Sequence, residues 1–153
     1  MNMLIADSVK IKRPSTIDSL AISTYLRHYF FDCASLDDFW TNGEVRNWIL
    51  NEDDYCAGAY LNDELIGFCL THYHKETRKV HLENVFVVEK YRRNGIANKL
   101  LADAIMFYSK KTKKVRYVGL VNAENIASTK LLEKNGFAYG NSVFWMQKND
   151  TND

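Results

Sequence analysis

Val80–Tyr108 reads V-H-L-E-N-V-F-V-V-E-K-Y-R-R-N-G-I-A-N-K-L-L-A-D-A-I-M-F-Y. Up to Val88 it is rich in β-branched and aromatic residues and bounded by charged clusters, the composition of a strand. Beyond Gly95 the period changes. Ile96, Leu100, Ala104 and Tyr108 recur every four residues with Leu101 and Ile105 beside them, which gives a helix one apolar face and leaves Asn98, Lys99 and Asp103 toward water. Between the two, Arg92-Arg93-Asn94-Gly95-Ile96-Ala97 sets a glycine and a small residue where backbone N–H groups point out of the positive end of a helix. Such a turn suits phosphate. A dinucleotide-binding unit would need three glycines and an acidic ribose partner, and a nucleoside triphosphate loop would need G-x-x-x-x-G-K-[ST]; neither is present. A glycine that serves only the turn's conformation is the plain alternative.

A second motif bears on that choice. Asn125–Phe137 reads N-I-A-S-T-K-L-L-E-K-N-G-F. Ile126, Ala127, Leu131 and Leu132 give a core face, Glu124 and Asn125 can cap the start, and Asn135-Gly136 supplies a left-handed stop. With one strand between them, the two motifs cover residues 80–137. The strand L-E-N-V-F-V, the turn R-x-x-G-x-A at Arg92, Gly95 and Ala97, and the later helix at Asn125, Ser128, Leu131, Lys134, Gly136 and Phe137 resemble the acyl-CoA-binding signatures of the GNAT superfamily of N-acyltransferases.

The resemblance implies a fold and a site. The fold is a mixed α/β domain of α+β type spanning residues 1–153, its sheet largely antiparallel, with helices on both faces and one splayed parallel strand pair holding the acyl-CoA arm. The co-substrate is acetyl-CoA and no metal takes part. Backbone amides of Arg92, Arg93, Asn94, Gly95, Ile96 and Ala97 would hold its pyrophosphate, Val85, Phe86 and Val87 would lie along its arm, and Asn125, Ser128 and Lys134 would complete the binding set. A backbone N–H near Val85 would stabilise the oxyanion.

N-acylation needs a neutral amine. An alkyl amine titrating near 10.4 is mostly protonated at pH 7, a penalty of roughly 4–5 kcal/mol. Glu83 is the best-placed carboxylate to take that proton, directly or through water; an exposed strand residue is its plainer reading. Several amine-acetylating members of the superfamily, polyamine acetyltransferases among them, carry L-E-[DN]-x-[FY]-V here, which raises Glu83 as the base; a small diamine or polyamine acceptor is expected from the acidic and aromatic residues between Phe31 and Asp54. The chain departs from the pattern at Leu131-Leu132, where the family has L-Y and a tyrosine hydroxyl to protonate the thiolate. Either Tyr139 or Tyr117 replaces it, or the proton comes from the ammonium product or water, or catalysis is poor and the protein is an acyl-CoA-binding sensor. A protein lysine or N-terminus is the rival acceptor.

Composition narrows the alternatives. A chain of 153 residues, 46% hydrophobic and 25% charged, fits one soluble globular domain. A formal net charge of +1 gives no global field toward nucleic acid or an anionic membrane, so neither is expected as a partner; a homodimer stays open. Cys33, Cys56 and Cys69 are odd in number and form no C-x-x-C pair, against a disulfide framework or a zinc site. No apolar run approaches a membrane span, and Met1–Asp7 is too short for a secretory signal, so a cytoplasmic location is expected. Lys148–Asp153 reads as a frayed tail.

Elsewhere, Val9–Lys12 alternates as a strand closed by Pro14, with Ser15 or Thr16 as cap. Ile17, Leu20, Ala21, Thr24, Tyr25 and His28 mark a helical face. Ser35–Asn51 is one helix broken at Asn42-Gly43, or two short ones. Tyr55–Leu61 and Glu64–Tyr73 are strands joined by a turn at Asn62-Asp63. Val115–Val121 is a further strand, parallel to Val80–Val88 because a helix intervenes. Phe137–Tyr139 and Val143–Gln147 suggest a final hairpin.

Asp32, Asp37, Asp38, Glu52, Asp53 and Asp54, interleaved with Phe31, Phe39, Trp40 and Trp48, are expected to wall the acceptor side and hold an ammonium group. His72 and His74 share a strand face with no third ligand evident, so they read as surface or substrate-side residues, not metal ligands. Cys69 reads as core. Lys110–Lys114 reads as a solvated helix end.

Overall fold

Residues 80–108 form strand, turn and helix in that order in a computed structural model, which describes residues 3–29, 41–121 and 125–140. The strand is β4 (Lys79–Val87) and the helix is α4 (Ile96–Lys111). Before them come α1 (Met3–Ser8), β1 (Lys10–Lys12), α2 (Ser19–Tyr29), α3 (Asn42–Leu50), β2 (Cys56–Leu61) and β3 (Glu64–His74). After them come β5 (Arg116–Gly119) and α5 (Ile126–Lys134). The strands lie in sequence order β1-β2-β3-β4-β5. Pairings from β1 to β4 are antiparallel, and β4 with β5 is parallel. Only that last pair needs a long crossover, and α4 provides it.

Alternation along β2 and β3 feeds two cores. Ala57, Ala59, Ile66 and Cys69 join Ile96, Leu100, Ala104 and Tyr108 of α4 on one face. Cys56, Tyr60, Leu65, Phe68 and Leu70 join Ile22 and Leu26 of α2 and Val45 and Ile49 of α3 on the other. A sheet covered on both sides reads as nearly continuous apolar runs, as β3 does. A buried polar chain ties α4 to the sheet. The Tyr55 N–H donates to the Tyr108 hydroxyl at 2.8 Å, and Thr71 Oγ1 donates to the Tyr55 carbonyl at 2.8 Å. With the threonine hydrogen so used, Tyr108 donates to Thr71 Oγ1 at 2.6 Å. Every hydrogen in this chain has an acceptor.

Some expectations are corrected. The apolar stripe expected on α2 is wrong: Ile17 is 87% exposed in a short 3-10 turn and Leu20 is also exposed, while Ile22, Ser23 and Leu26 are buried. Asn42 and Gly43 open α3, as the second of two short helices would, under a reciprocal cap of Thr41 and Glu44 at 3.2 and 2.7 Å; residues 35–40 lie outside the described residues. Helix α1 has no counterpart among the sequence expectations. β5 is shorter than Val115–Val121. Phe137–Tyr139 carry no strand pairing among the described residues, and Val143–Gln147 and the Lys148–Asp153 tail lie outside them. Asn62 and Asp63 both have positive φ, the geometry a two-residue hairpin turn with the strands' twist demands.

Candidate active site

The turn between β4 and α4 is held by its own side chains. Arg92 Nε donates to the Val87 carbonyl at 2.7 Å, and its guanidinium lies 5.6 Å from the Phe86 ring centre. Asn94 Nδ2 donates to the carbonyls of Tyr91 and Arg92 at 3.0 and 3.2 Å. Arg93 and Gly95 both adopt positive φ, 66° and 75°. The first main-chain bond of α4 runs from Lys99 N–H to the Gly95 carbonyl, so the N–H groups of Ile96, Ala97 and Asn98 precede it and face out of the helix end. A methyl group on Gly95 would meet no atom of the other described residues within 4 Å, its chain neighbours aside. Donors and open space thus coincide, as a bound pyrophosphate requires. The Ile96 side chain is in the core, so it can serve such a ligand only through its backbone.

The strands fork beside this turn. β4 and β5 pair from Lys79↔Arg116 to Leu82↔Gly119, while β4 runs on to Val87 with ladder pairs, among the described residues, only to β3. Val85, Phe86 and Val87 turn their side chains into the cores and leave backbone groups along the fork. α5 closes the other side: a methyl group on Gly119 would stand 3.3 Å from Leu132 Cδ1, so the leucine in the family's tyrosine position lies over the fork. Asn125 caps α5 by accepting the Ser128 N–H at 3.1 Å, and Lys134 is exposed in the last turn. Asn135 Nδ2 donates to Asn98 Oδ1 at 2.8 Å, which brings the second motif onto the first turn of α4.

Glu83 is the extra residue of a β-bulge. Leu70 faces Asn84 and Thr71 faces Leu82, so nothing on β3 stands opposite it. It lines a cavity of about 380 Å³ with Glu44, Asn47, Trp48, Asn51, Asp54, His72 and His74. Asp54 is buried here. Its Oδ2 accepts from His72 Nδ1 at 2.8 Å and from Asn51 Nδ2 at 3.3 Å, and its Oδ1 accepts from the Tyr73 N–H at 2.9 Å. Trp48 donates its indole N–H to the Thr71 carbonyl at 2.8 Å, which fixes the aromatic wall. His74 stands between His72 and His81, with ring centres 4.5 and 4.4 Å away. Burial, and then the charge of His74, hold His81 below the usual imidazole range. A larger hollow of about 510 Å³ shares no residue with β4, the turn or α5.

Other expected residues sort as follows. Tyr139 is 84% exposed. The Tyr117 hydroxyl is used on the Ile105 carbonyl at 3.1 Å, and burial raises its pKa. Burial pushes the Cys56 thiol up to about 12 and the Cys69 thiol higher, which leaves both inert as nucleophiles. Of the acidic wall, Asp54 and Trp48 line the cavity; Lys111 Nζ donates to the main-chain carbonyls of Glu52 and Asp53 and to the Asp53 carboxylate, and residues 31–40 lie outside the described residues. Glu44, the Asp54–His72 pair and Asn135 were missed by sequence reasoning; His72 had only its H-x-H spacing, and Asp54 pairs with it across 18 positions. Among the described residues no cluster of three potential metal ligands is found, and no helix is long and apolar enough to cross a membrane.

No curated protein matches the chain in sequence. Solved structures do match in fold. PaiA N-acetyltransferase from Thermoplasma acidophilum, in complex with coenzyme A, is 20% identical over 89% of this chain and 93% of that one, with a TM-score of 0.73. An aminoglycoside acetyltransferase from an uncultured soil metagenomic sample, in complex with sisomicin, is 13% identical over 95% and 99%, with a TM-score of 0.71. The ribosomal-protein-S18-alanine N-acetyltransferase of Escherichia coli is 22% identical over 87% and 79%, with a TM-score of 0.68. The model of the Acetyltransferase (GNAT) family matches residues 20–137, which takes in the bulge, the turn, the fork and the second motif, and the chain belongs to that family.

Proposed function

We propose that the protein transfers the acetyl group of acetyl-CoA to a primary amine on a small cationic acceptor, with Glu83 as general base. The cavity at the bulge carries this reading. Its wall combines the carboxylates of Glu44, Asp54 and Glu83 with the indole of Trp48, and a diamine or polyamine offers the complementary charge. The Arg92–Ala97 turn, the β4 backbone from Val85 to Val87, and Asn125, Ser128 and Lys134 would hold the co-substrate, which supplies the thioester carbonyl. Glu83 takes the proton, directly or through one water, and positioning of the amine removes several kcal/mol more.

With Leu132 over the fork, the thiolate leaves without a hydroxyl from position 132 and takes a proton the amine gave up, or one from water; a thiol's pKa of about 8.5 makes this tolerable. Tyr139 is the remaining candidate acid. The same leucine favours a second reading, a non-catalytic acyl-CoA-binding sensor. The aminoglycoside and S18-alanine enzymes named above act on different amines, so the choice of acceptor rests on the cavity's charge. A screen of amines and peptides with acetyl-CoA, reading free thiol, tests it. Higher kcat/KM on putrescine or spermidine than on peptides is expected; the reverse order would move the assignment to protein amines, and no turnover with intact acetyl-CoA binding would leave the sensor. Binding weaker than roughly millimolar would remove all three.

A further inference from the structure

A primary amine arrives as an ammonium ion and leaves as a neutral amide, so its nitrogen sheds two protons. One must go before the nitrogen has a lone pair with which to attack, and one after. Glu83 can serve one of these events, and the same cavity presents a second proton acceptor that the reaction as drawn above leaves idle. A carboxylate oxygen offers only lone pairs, so the His72 Nδ1–H donates to Asp54 Oδ2, and the neutral ring keeps its Nε2 lone pair free. The two side chains differ in exposure: His72 is 45% exposed and Asp54 only 7%. The buried carboxylate, fixed on its other oxygen by the Tyr73 N–H, orients the ring and offsets the charge it acquires; the exposed ring can reach both acceptor and water.

We propose that His72, oriented by Asp54, takes the first proton of the bound ammonium, and that Glu83 takes the second. This rests on the acetyl-transfer reading above. The steps balance. R-NH3+ gives a proton to His72 Nε2 and becomes R-NH2. Its lone pair forms the N–C bond while the carbonyl π pair moves onto oxygen, and the nitrogen, now positive, gives its second proton to Glu83. The oxygen's pair returns, the C–S bond breaks with its electrons on sulfur, and the thiolate takes the proton from Glu83. The imidazolium releases its proton to water, the one proton that the overall reaction liberates.

An imidazole titrates about two units closer to neutrality than a carboxylate, which suits it to a bound ammonium at pH 7. The groups facing His72 are Glu44 and Trp48 on α3, Asn51 and Asp54 before β2, His74 on β3, and His81 and Glu83 on β4.

The test compares His72→Gln, which keeps an N–H for Asp54 but cannot titrate, with Glu83→Gln. Two acceptors are used, putrescine and trifluoroethylamine, the latter already neutral at pH 7. His72→Gln should lose about 10²-fold in kcat/KM on putrescine at pH 7, the deficit shrinking toward pH 10, and should lose little on trifluoroethylamine. Glu83→Gln should lose activity on both amines at every pH. Acetyl-CoA affinity reports folding, and added imidazole should restore His72→Ala. A loss for His72→Gln that is equal on both amines and flat in pH, or no loss at all, overturns the role of His72 while leaving acetyl transfer standing. No turnover by the unmodified protein on any amine overturns both.

Discussion

Arg92 donates its Nε–H to the Val87 carbonyl at 2.7 Å and lays its guanidinium over Phe86, so its side chain closes the turn from β4 to α4. Arg92→Ala should therefore weaken the fold, by about 1 kcal/mol, and acetyl-CoA binding only modestly. Urea unfolding and calorimetry separate the two. Arg92→Lys should not restore the midpoint, because a point ammonium cannot hydrogen-bond the carbonyl and cover the ring together.

Gly95 should matter more for binding. At φ 75° any side chain costs about 1–2 kcal/mol, yet a Cβ there meets nothing within 4 Å among the other described residues, its chain neighbours aside. A loss of acetyl-CoA affinity in Gly95→Ala that exceeds its loss of stability would report a collision with the ligand, and Gly95→Val should lose more still. Unchanged affinity in a folded Gly95→Val protein rules out the phosphate site.

Glu83→Gln should cost roughly 10² to 10⁴ in kcat while acetyl-CoA still binds. Steady-state rates from pH 6 to 9 decide it. Normal turnover across that range would move the base elsewhere.

Tyr108→Phe should destabilise the fold by about 1–3 kcal/mol, because the buried Tyr55 N–H loses its acceptor. The same variant leaves the apolar contacts of α4 in place, so a shift in the urea midpoint with an unchanged m-value is expected.

His81 titrates below the ordinary imidazole range in the fold, so the unfolded chain takes that proton more readily. Its contribution to stability is complete above the unfolded value, near pH 6.5, and is lost as pH falls from there through the lower folded value. His81→Asn should flatten the decline of Tm on acidification. An unaltered slope would show that His81 does not set that decline.

The sequence carried the strand–turn–helix of residues 80–108 because its apolar spacing matches burial on α4: Ile96, Leu100, Ala104 and Tyr108 are all in the core. The parallel pairing of β4 with β5 was legible too, since a helix between two strands permits it. Helix α2 failed because its side toward the sheet includes Ser19 and Ser23, small polar residues that a hydrophobicity pattern discards. Ser19 satisfies its hydroxyl on the Thr16 carbonyl at 2.7 Å, a bond no periodicity reveals. The Asp54–His72 pair escaped for a different reason: it joins the loop before β2 to β3, set by the register of those two strands, which leaves no mark in local sequence.

The fork at Leu82 and Gly119 also bears on how the protein keeps apart from its own copies. A strand edge with free backbone groups is a template for any passing extended chain, and sheet proteins shield such edges with charge, bulges or cover. Here β4 continues past the end of its partner inside the sheet. A ligand laid along that seam would act as its cover, so light scattering at high protein concentration should fall when coenzyme A is added, and colloidal stability should follow the supply of co-substrate.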